Sequence, residues 1–267
     1  MLNAGKKNVL GILIDALDYE SAVDRIFCAA RERRSFTVSA LAVHGLMTGA
    51  LDAEQKFRLN HFDLLTPDGQ PVRWVLNSLY RAGLRDRVYG PNLTLRVCAR
   101  AAQEGVAVYF YGSTPEVLDQ LRASVLKRFP KLVIAGMEAS KFRRLTPEEK
   151  TELGIRIRAS GASLVFVGLG CPRQEVFAFE CRDAVHMPIL AVGAAFPFLA
   201  GLMPQAPAWM QNAGLEWLFR LASEPKRLWR RYMFLNPAYL FLVALQAMHL
   251  SQFSTQGESP TVELLYG

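Results

Sequence analysis

With 267 residues, 51% of them hydrophobic and 21% charged, the chain has the composition of a folded protein of one large or two small domains. Sixteen Phe, eight Tyr and four Trp exclude a disordered or purely polar chain, and four Cys with no CxxC pair argue against a disulfide scaffold or a zinc finger. A net charge of +7 asks for an anionic partner: nucleic acid, a membrane surface or a phosphorylated substrate.

The first residues reach Asp15 too soon for a secretory leader, so a reducing, cytoplasmic setting is expected. Short apolar runs then alternate with segments of helical spacing. Strands are predicted over Phe36 to Val43, Val106 to Tyr111, Leu132 to Ala135, Leu164 to Val167 and Ile189 to Val192. Helices are predicted over Glu20 to Arg33, Leu93 to Glu104, Glu116 to Phe129 and Pro147 to Ala159, the last opened by Thr146 as N-cap with Pro147 and two acids behind it. This alternation implies right-handed βαβ crossovers and an α/β fold with a Rossmann-like, mostly parallel sheet flanked by helices.

Two strand ends run into loops suited to an anion, and a third carries a carboxylate. One is Gly112-Ser113-Thr114-Pro115, and another runs from Gly168 through Gly170 and Arg173 to Gln174-Glu175. In both, glycine lets the backbone approach a ligand where a helix N-terminus supplies free N–H donors. Each is equally an ordinary βα turn, and neither is a GxGxxG or GxxxxGK[ST] signature. The third loop, Thr66-Pro67-Asp68-Gly69, carries a carboxylate that would act as a general base if aimed into the same cleft; Pro-Asp-Gly is equally an ordinary turn, in which Asp68 is structural. His44, at the end of the first central strand, is a further candidate to face the cleft.

Ala184 to Leu215 carries no Asp, Glu, Lys or Arg, long enough for the ~20 residues of a spanning helix, but Pro188, Gly193, Pro197, Gly201, Pro204 and Pro207 interrupt it. Tyr232 to Leu250 is interrupted at Asn236-Pro237, leaving roughly 13 apolar-rich residues, the length of a buried or interfacial helix. Just before it, Arg220, Lys226, Arg227, Arg230 and Arg231 face only Glu224 in charge. A basic cluster beside Tyr232, Met233, Phe234 and Leu235 suits a membrane interface better than a duplex. No nucleic-acid-binding motif accompanies it. The predicted organisation is an α/β core over 1–212, a helical membrane-associating appendage over 213–250 and a flexible tail over 251–267.

Several motifs in chain order carry a resemblance: Asn8-Val9-Leu10-Gly11 with Ile14-Asp15; Pro67-Asp68-Gly69; Arg87-Val88-Tyr89-Gly90; Tyr111-Gly112-Ser113; Val167 to Glu175; Gly214 to Arg220; and Glu224-Pro225 through Arg231-Tyr232. Together they resemble the WecG/TagA/CpsF glycosyltransferases over about residues 8 to 240. The resemblance implies transfer of a sugar, a hexose or an N-acetylhexosamine such as N-acetylmannosamine, from a UDP-sugar to a sugar on polyprenyl diphosphate. It implies inversion at the anomeric carbon, no metal or other cofactor, and work as a peripheral protein on the inner face of the cytoplasmic membrane. The products would be exopolysaccharide, capsule or cell-wall glycan.

By position, Asp68 matches the proposed base, Gln174 and Glu175 a QE pair beside the donor, and Arg87 with Gly90 another loop of that site. Arg220, Arg227 and Arg230 match basic residues of an appendage thought to close over it. Three departures stand out: Ala40-Leu41-Ala42 replaces Thr-x-Asn, Phe196-Pro197-Phe198 replaces Phe-Asp-Phe, and Gln205-Ala206-Pro207 replaces Arg-Ala-Pro. They imply an altered donor preference or, as the alternative, a non-catalytic paralogue that binds a sugar nucleotide or lipid-linked glycan. Monomer and homo-oligomer both stay open.

Overall fold

The apolar runs become the centre of a parallel sheet in the computed structural model, which describes residues 1–267 apart from the side chains of Arg227 and Arg231. The chain opens with a hairpin, β1 (Asn3–Val9) and β2 (Ile12–Leu17), then α1 (Tyr19–Arg31), β3 (Phe36–Leu41), α2 (Val43–Leu51), α3 (Ala53–Asn60), β4 (Leu64–Pro67) and α4 (Gln70–Tyr80). There follow α5 (Gly90–Glu104), β5 (Val108–Gly112), α6 (Pro115–Arg128), β6 (Ile134–Glu138), α7 (Pro147–Ala159), β7 (Leu164–Gly168), α8 (Arg173–Val185) and β8 (Pro188–Ala191). The C-terminal part holds α9 (Ala195–Leu199), α10 (Ala208–Asn212), α11 (Glu216–Ser223) and α12 (Pro225–Ala247). Strands β3 to β8 form a six-stranded sheet in the order β4-β3-β8-β7-β5-β6, every neighbouring pair parallel.

Both faces of this sheet are covered, which is why its strands read as unbroken apolar runs. Val165 and Val167 enter one core with Tyr109, Tyr111 and Ile189. Leu164 and Phe166 enter the other with Val108, Phe110 and Leu190. Phe110 stacks on Phe166 with ring centroids 5.0 Å apart. α7 begins with a complete capping box between Thr146 and Glu149, as its sequence predicts.

Three features differ from the sequence reading. The strand expected to run to Val43 stops at Leu41, and Val43 opens α2. Its glycines seat the helix closely, since a Cβ on Gly49 would lie 2.6 Å from Leu59 Cδ1. Second, α12 continues through Pro237, where the sequence suggests a break. Proline removes one ladder hydrogen bond, but buried Tyr239 and partly buried Leu242 and Val243 hold the following turns against the core. Among the described residues no helix is long and apolar enough to cross a membrane.

Third, residues 251–267 run as a strap across the core, where a flexible tail is expected. Asn60 Nδ2 donates to the Thr255 carbonyl at 2.8 Å, and the Glu180 carboxylate accepts from the N–H groups of Leu264 and Leu265 at 2.7 and 2.9 Å. The hairpin turn makes room for it: Leu10 and Gly11 both have positive φ, and a Cβ on Gly11 would sit 2.6 Å from the Ser254 carbonyl oxygen. Backbone hydrogen bonding, invisible in composition, orders this polar stretch.

Candidate active site

The carboxyl end of β4 turns through Asp68-Gly69 into α4. Alongside it, the Val88 N–H donates to the Pro67 carbonyl at 2.9 Å, so the segment before α5 carries Arg87 and Tyr89 next to Asp68. These residues line a cavity of about 110 Å³ together with Ala42 to His44, Gly69 to Pro71, and Glu216, Trp217 and Arg220 from the C-terminal helices. The N-termini of α2, α4 and α5 meet here, and none has a side-chain cap: the N-cap residues are Ala42, Gly69 and Tyr89. Free N–H donors and positive dipole ends therefore surround the cavity.

Asp68 retains a little solvent contact through this opening, with protein on its other sides. Burial raises its pKa from 3.8 to about 7; Arg87, Arg220 and a hydrogen bond from the Gly90 N–H pull it down, and Glu216 pushes it up. The Arg87 guanidinium stacks over the Tyr89 ring, 4.2 Å from its centroid, and its Nη2 donates to Glu216 Oε2 at 2.6 Å and Gln211 Oε1 at 3.0 Å. Burial alone would lower the Arg87 pKa, but Glu216 and Asp68 outweigh it and hold the group above its ordinary value. Arg220 lies over the Phe198 ring at 5.7 Å, and its buried Nε has no hydrogen-bond partner among the described residues.

Gly90 links this cavity to the middle of the sheet. A Cβ there would lie 3.3 Å from Ala40 Cβ, 3.4 Å from the Val192 carbonyl oxygen and 3.7 Å from Asp68 Oδ2. One residue on, Gly193 faces Gln174, whose Oε1 would be 2.8 Å from an added Cβ. Gln174 Nε2 and Ser39 Oγ both donate to Glu175 Oε1, at 2.8 and 2.9 Å. Burial raises the Glu175 pKa despite those donors, while Gln174 Oε1 and Glu175 Oε2 have no partner among the described hydrogen bonds.

Residues 7–252 match the sequence profile of the glycosyl transferase WecG/TagA/CpsF family. The chain belongs to this family. Its α/β glycosyltransferase fold thus gathers Asp68, Arg87 and Arg220 at one cavity, with Gly90 packed behind Asp68 and Gln174 and Glu175 buried beyond Gly90 and Gly193.

Other residues expected at the site stand apart from the cavity. Gly112 and Gly168 pair at the ends of β5 and β7, where a Cβ on Gly112 would meet the Gly168 backbone at 2.9 Å. Close strand packing thus accounts for glycine at 112 without a ligand. Ser113, at φ 61, accepts through its carbonyl from the Ser140 N–H, and Gly170 has open space around its α-carbon. Arg230 is exposed and lies over the Trp229 ring at 5.3 Å. The side chain of Arg227 lies outside the described residues.

Glu216 and Gln211 were not foreseen as site residues. The signal available was that Glu216 is the one Asp or Glu between Ala184 and Ser223. An isolated acid in such a stretch invites a search for its cation, but the partner, Arg87, is 129 positions away. Of the three departures from the family pattern, Ala42 lies directly in the cavity wall. Phe196 is buried against Gly168 and Phe110, with Pro197 between two retained aromatic residues. Ala206 is buried, and its carbonyl accepts from Gln211 Nε2 at 2.7 Å.

Proposed function

We propose that the chain is an inverting, metal-independent glycosyltransferase with Asp68 as its base. The observation that carries this reading is a carboxylate placed among two arginines and three helix N-termini without side-chain caps. Asp68 takes the proton of an acceptor hydroxyl as that oxygen attacks the anomeric carbon. The bond from this carbon to the nucleotide diphosphate breaks on the opposite face, and the leaving group departs as an anion. Arg87, Arg220 and the helix N-termini provide the positive potential that stabilises it. A raised proton affinity suits a base that must hold its proton through the displacement.

The donor in this reading is a UDP-hexose or UDP-N-acetylhexosamine, and the acceptor a sugar on polyprenyl diphosphate, used for exopolysaccharide, capsule or cell-wall glycan. The surface supports a membrane-bound acceptor. Trp209, Met233 and Phe234 are 64%, 63% and 67% exposed, with Lys226 and Arg230 also exposed nearby in sequence. An aromatic and basic surface of this kind binds the inner face of an anionic membrane. A second reading, a paralogue that binds sugar nucleotide or lipid-linked glycan without turnover, draws on Ala42, where the family pattern has an amide.

The test is transfer from a panel of UDP-sugars to a polyprenyl-diphosphate monosaccharide in vesicles, with and without EDTA. Transfer from one donor, unchanged by EDTA and lost in Asp68→Ala, is the expected outcome. Full activity in the variant removes Asp68 as the base, and UDP binding without turnover on any donor favours the second reading.

A further inference from the structure

Glu216 has no part in the chemistry above, yet it is 14% exposed by side chain and 2.6 Å from the most buried cation of the cavity wall, Arg87 at 8%. Both described side-chain hydrogen bonds of Arg87 leave from the same nitrogen: Nη2 donates to Glu216 and to Gln211. Gln211 is itself held, its Nε2 donating to the Ala206 carbonyl. With one face on the Tyr89 ring, the guanidinium is fixed in plane and gripped at one end. Its Nη1 and Nε edge is left for a ligand oxygen. All the gripping groups come from residues 206–216, whereas Arg87 belongs to the core.

We propose that Glu216 is the positioning residue for Arg87: with Gln211 it clamps Nη2, so that the remaining guanidinium donors meet the oxygens of the departing diphosphate. A competent site then exists only when α10 and α11 are seated on the core. The inference rests on reading the Asp68 cavity as the site of glycosyl transfer. Its physical basis is that a free arginine carries considerable side-chain rotamer entropy, which a preformed clamp removes before substrate arrives. Geometry maintained in this way acts on the transition state more than on ground-state binding.

The charged and titratable groups facing Asp68 are Arg87 and Tyr89 before α5, Glu216 and Arg220 on α11, His44 on α2, Tyr232 on α12 and, farther off, Tyr19 on α1. Among them Glu216 adds negative charge, so its neutralisation favours ionised Asp68.

The experiment compares E216A, E216Q, R87A and E216A/R87A in the full chain by steady-state transfer across pH, together with hydrogen exchange over residues 206–224. E216A should lower kcat by about 10- to 100-fold with KM little changed, as expected when a catalytic group is misplaced by about 1 Å. E216Q, which keeps an acceptor for Nη2, should lose less and move the acid limb of kcat/KM to lower pH. In the R87A background E216A should cost less than about twofold more, because the two residues act as a unit. Equal losses in both backgrounds, or native kcat in E216A, overturn the proposal.

Hydrogen exchange separates this from the reading it rests on. Should the wild-type protein transfer no sugar from any donor, the glycosyltransferase reading fails. Faster exchange over 206–224 in E216A still supports the clamp, and unchanged exchange refutes it.

Discussion

Asp68 and Glu175 are both carboxylates at the carboxyl edge of the sheet, and burial raises the pKa of each. Their surroundings differ in kind. Asp68 opens into a cavity with Arg87 and Arg220 in electrostatic reach, so its ionised form has cations to face. Glu175 is 1% exposed, and its described partners, Ser39, Gln174 and Cys171, are neutral donors. The comparison teaches that burial among neutral donors only disfavours the charged form of a carboxyl group, whereas burial beside cations makes one that can change its charge near neutral pH.

The largest effect that sharpens this contrast is loss of the base. Asp68→Asn keeps the size of the side chain but cannot accept the proton, and transfer should fall by about 10²- to 10⁴-fold, measured as kcat on the lipid-linked acceptor. Arg220→Ala comes next: removing one preorganised charge from the leaving-group side should cost about 10²-fold in kcat. A loss under threefold would show that Arg87 and the helix N-termini suffice.

The pH profile tests the same contrast without mutation. Asp68 must be ionised to act, so kcat/KM should fall as pH drops through about 7. Stability should run the other way. In the folded chain Asp68 holds its proton up to about pH 7, against an ordinary value of 3.8. Between those values the folded state binds more protons than the unfolded one, so stability falls as pH rises, and the whole cost is felt above pH 7. Asp68→Asn should therefore raise Tm, more at pH 8 than at pH 4, by about 2–4 °C per kcal/mol of relieved cost.

The smallest effect is expected at Glu175. Glu175→Gln preserves the acceptor for Ser39 and Gln174 and replaces a carboxyl group whose pKa burial raises, with no cation to favour its ionised form. Transfer should stay within about threefold, a change near 0.6 kcal/mol. A hundredfold loss would break the comparison by showing that Glu175 works as an anion.

Much of this contrast was legible in the residues. Asp68 stands in a Pro-Asp-Gly turn after an apolar run, and the QE pair follows a glycine-rich strand end, so both were candidates from the outset. The hairpin and α2 were not. Asn3 to Leu17 is too mixed in polarity to read as two strands, and Val43-His44-Gly45 continues a strand pattern with a glycine that argues against helix. Only the packing of Leu41, Leu59 and Ile12 against its two glycines makes α2 the better solution. Gly112 shows a second demand that local pattern hides: the neighbouring strand requires a glycine there, because a Cβ would meet the Gly168 backbone at 2.9 Å.

By itself, then, the sequence determined the parallel α/β sheet, because burial on both faces leaves continuous apolar runs, and it determined the order of the strand-end loops that carry Asp68, Arg87 and the QE pair. Tertiary structure alone decided that Glu216 and Gln211 hold Arg87, that a proline-containing helix stays unbroken, and that a polar C-terminal stretch is a strap. Each depends on pairing between residues far apart in the chain or on backbone groups common to every residue. Local pattern carries neither kind of information.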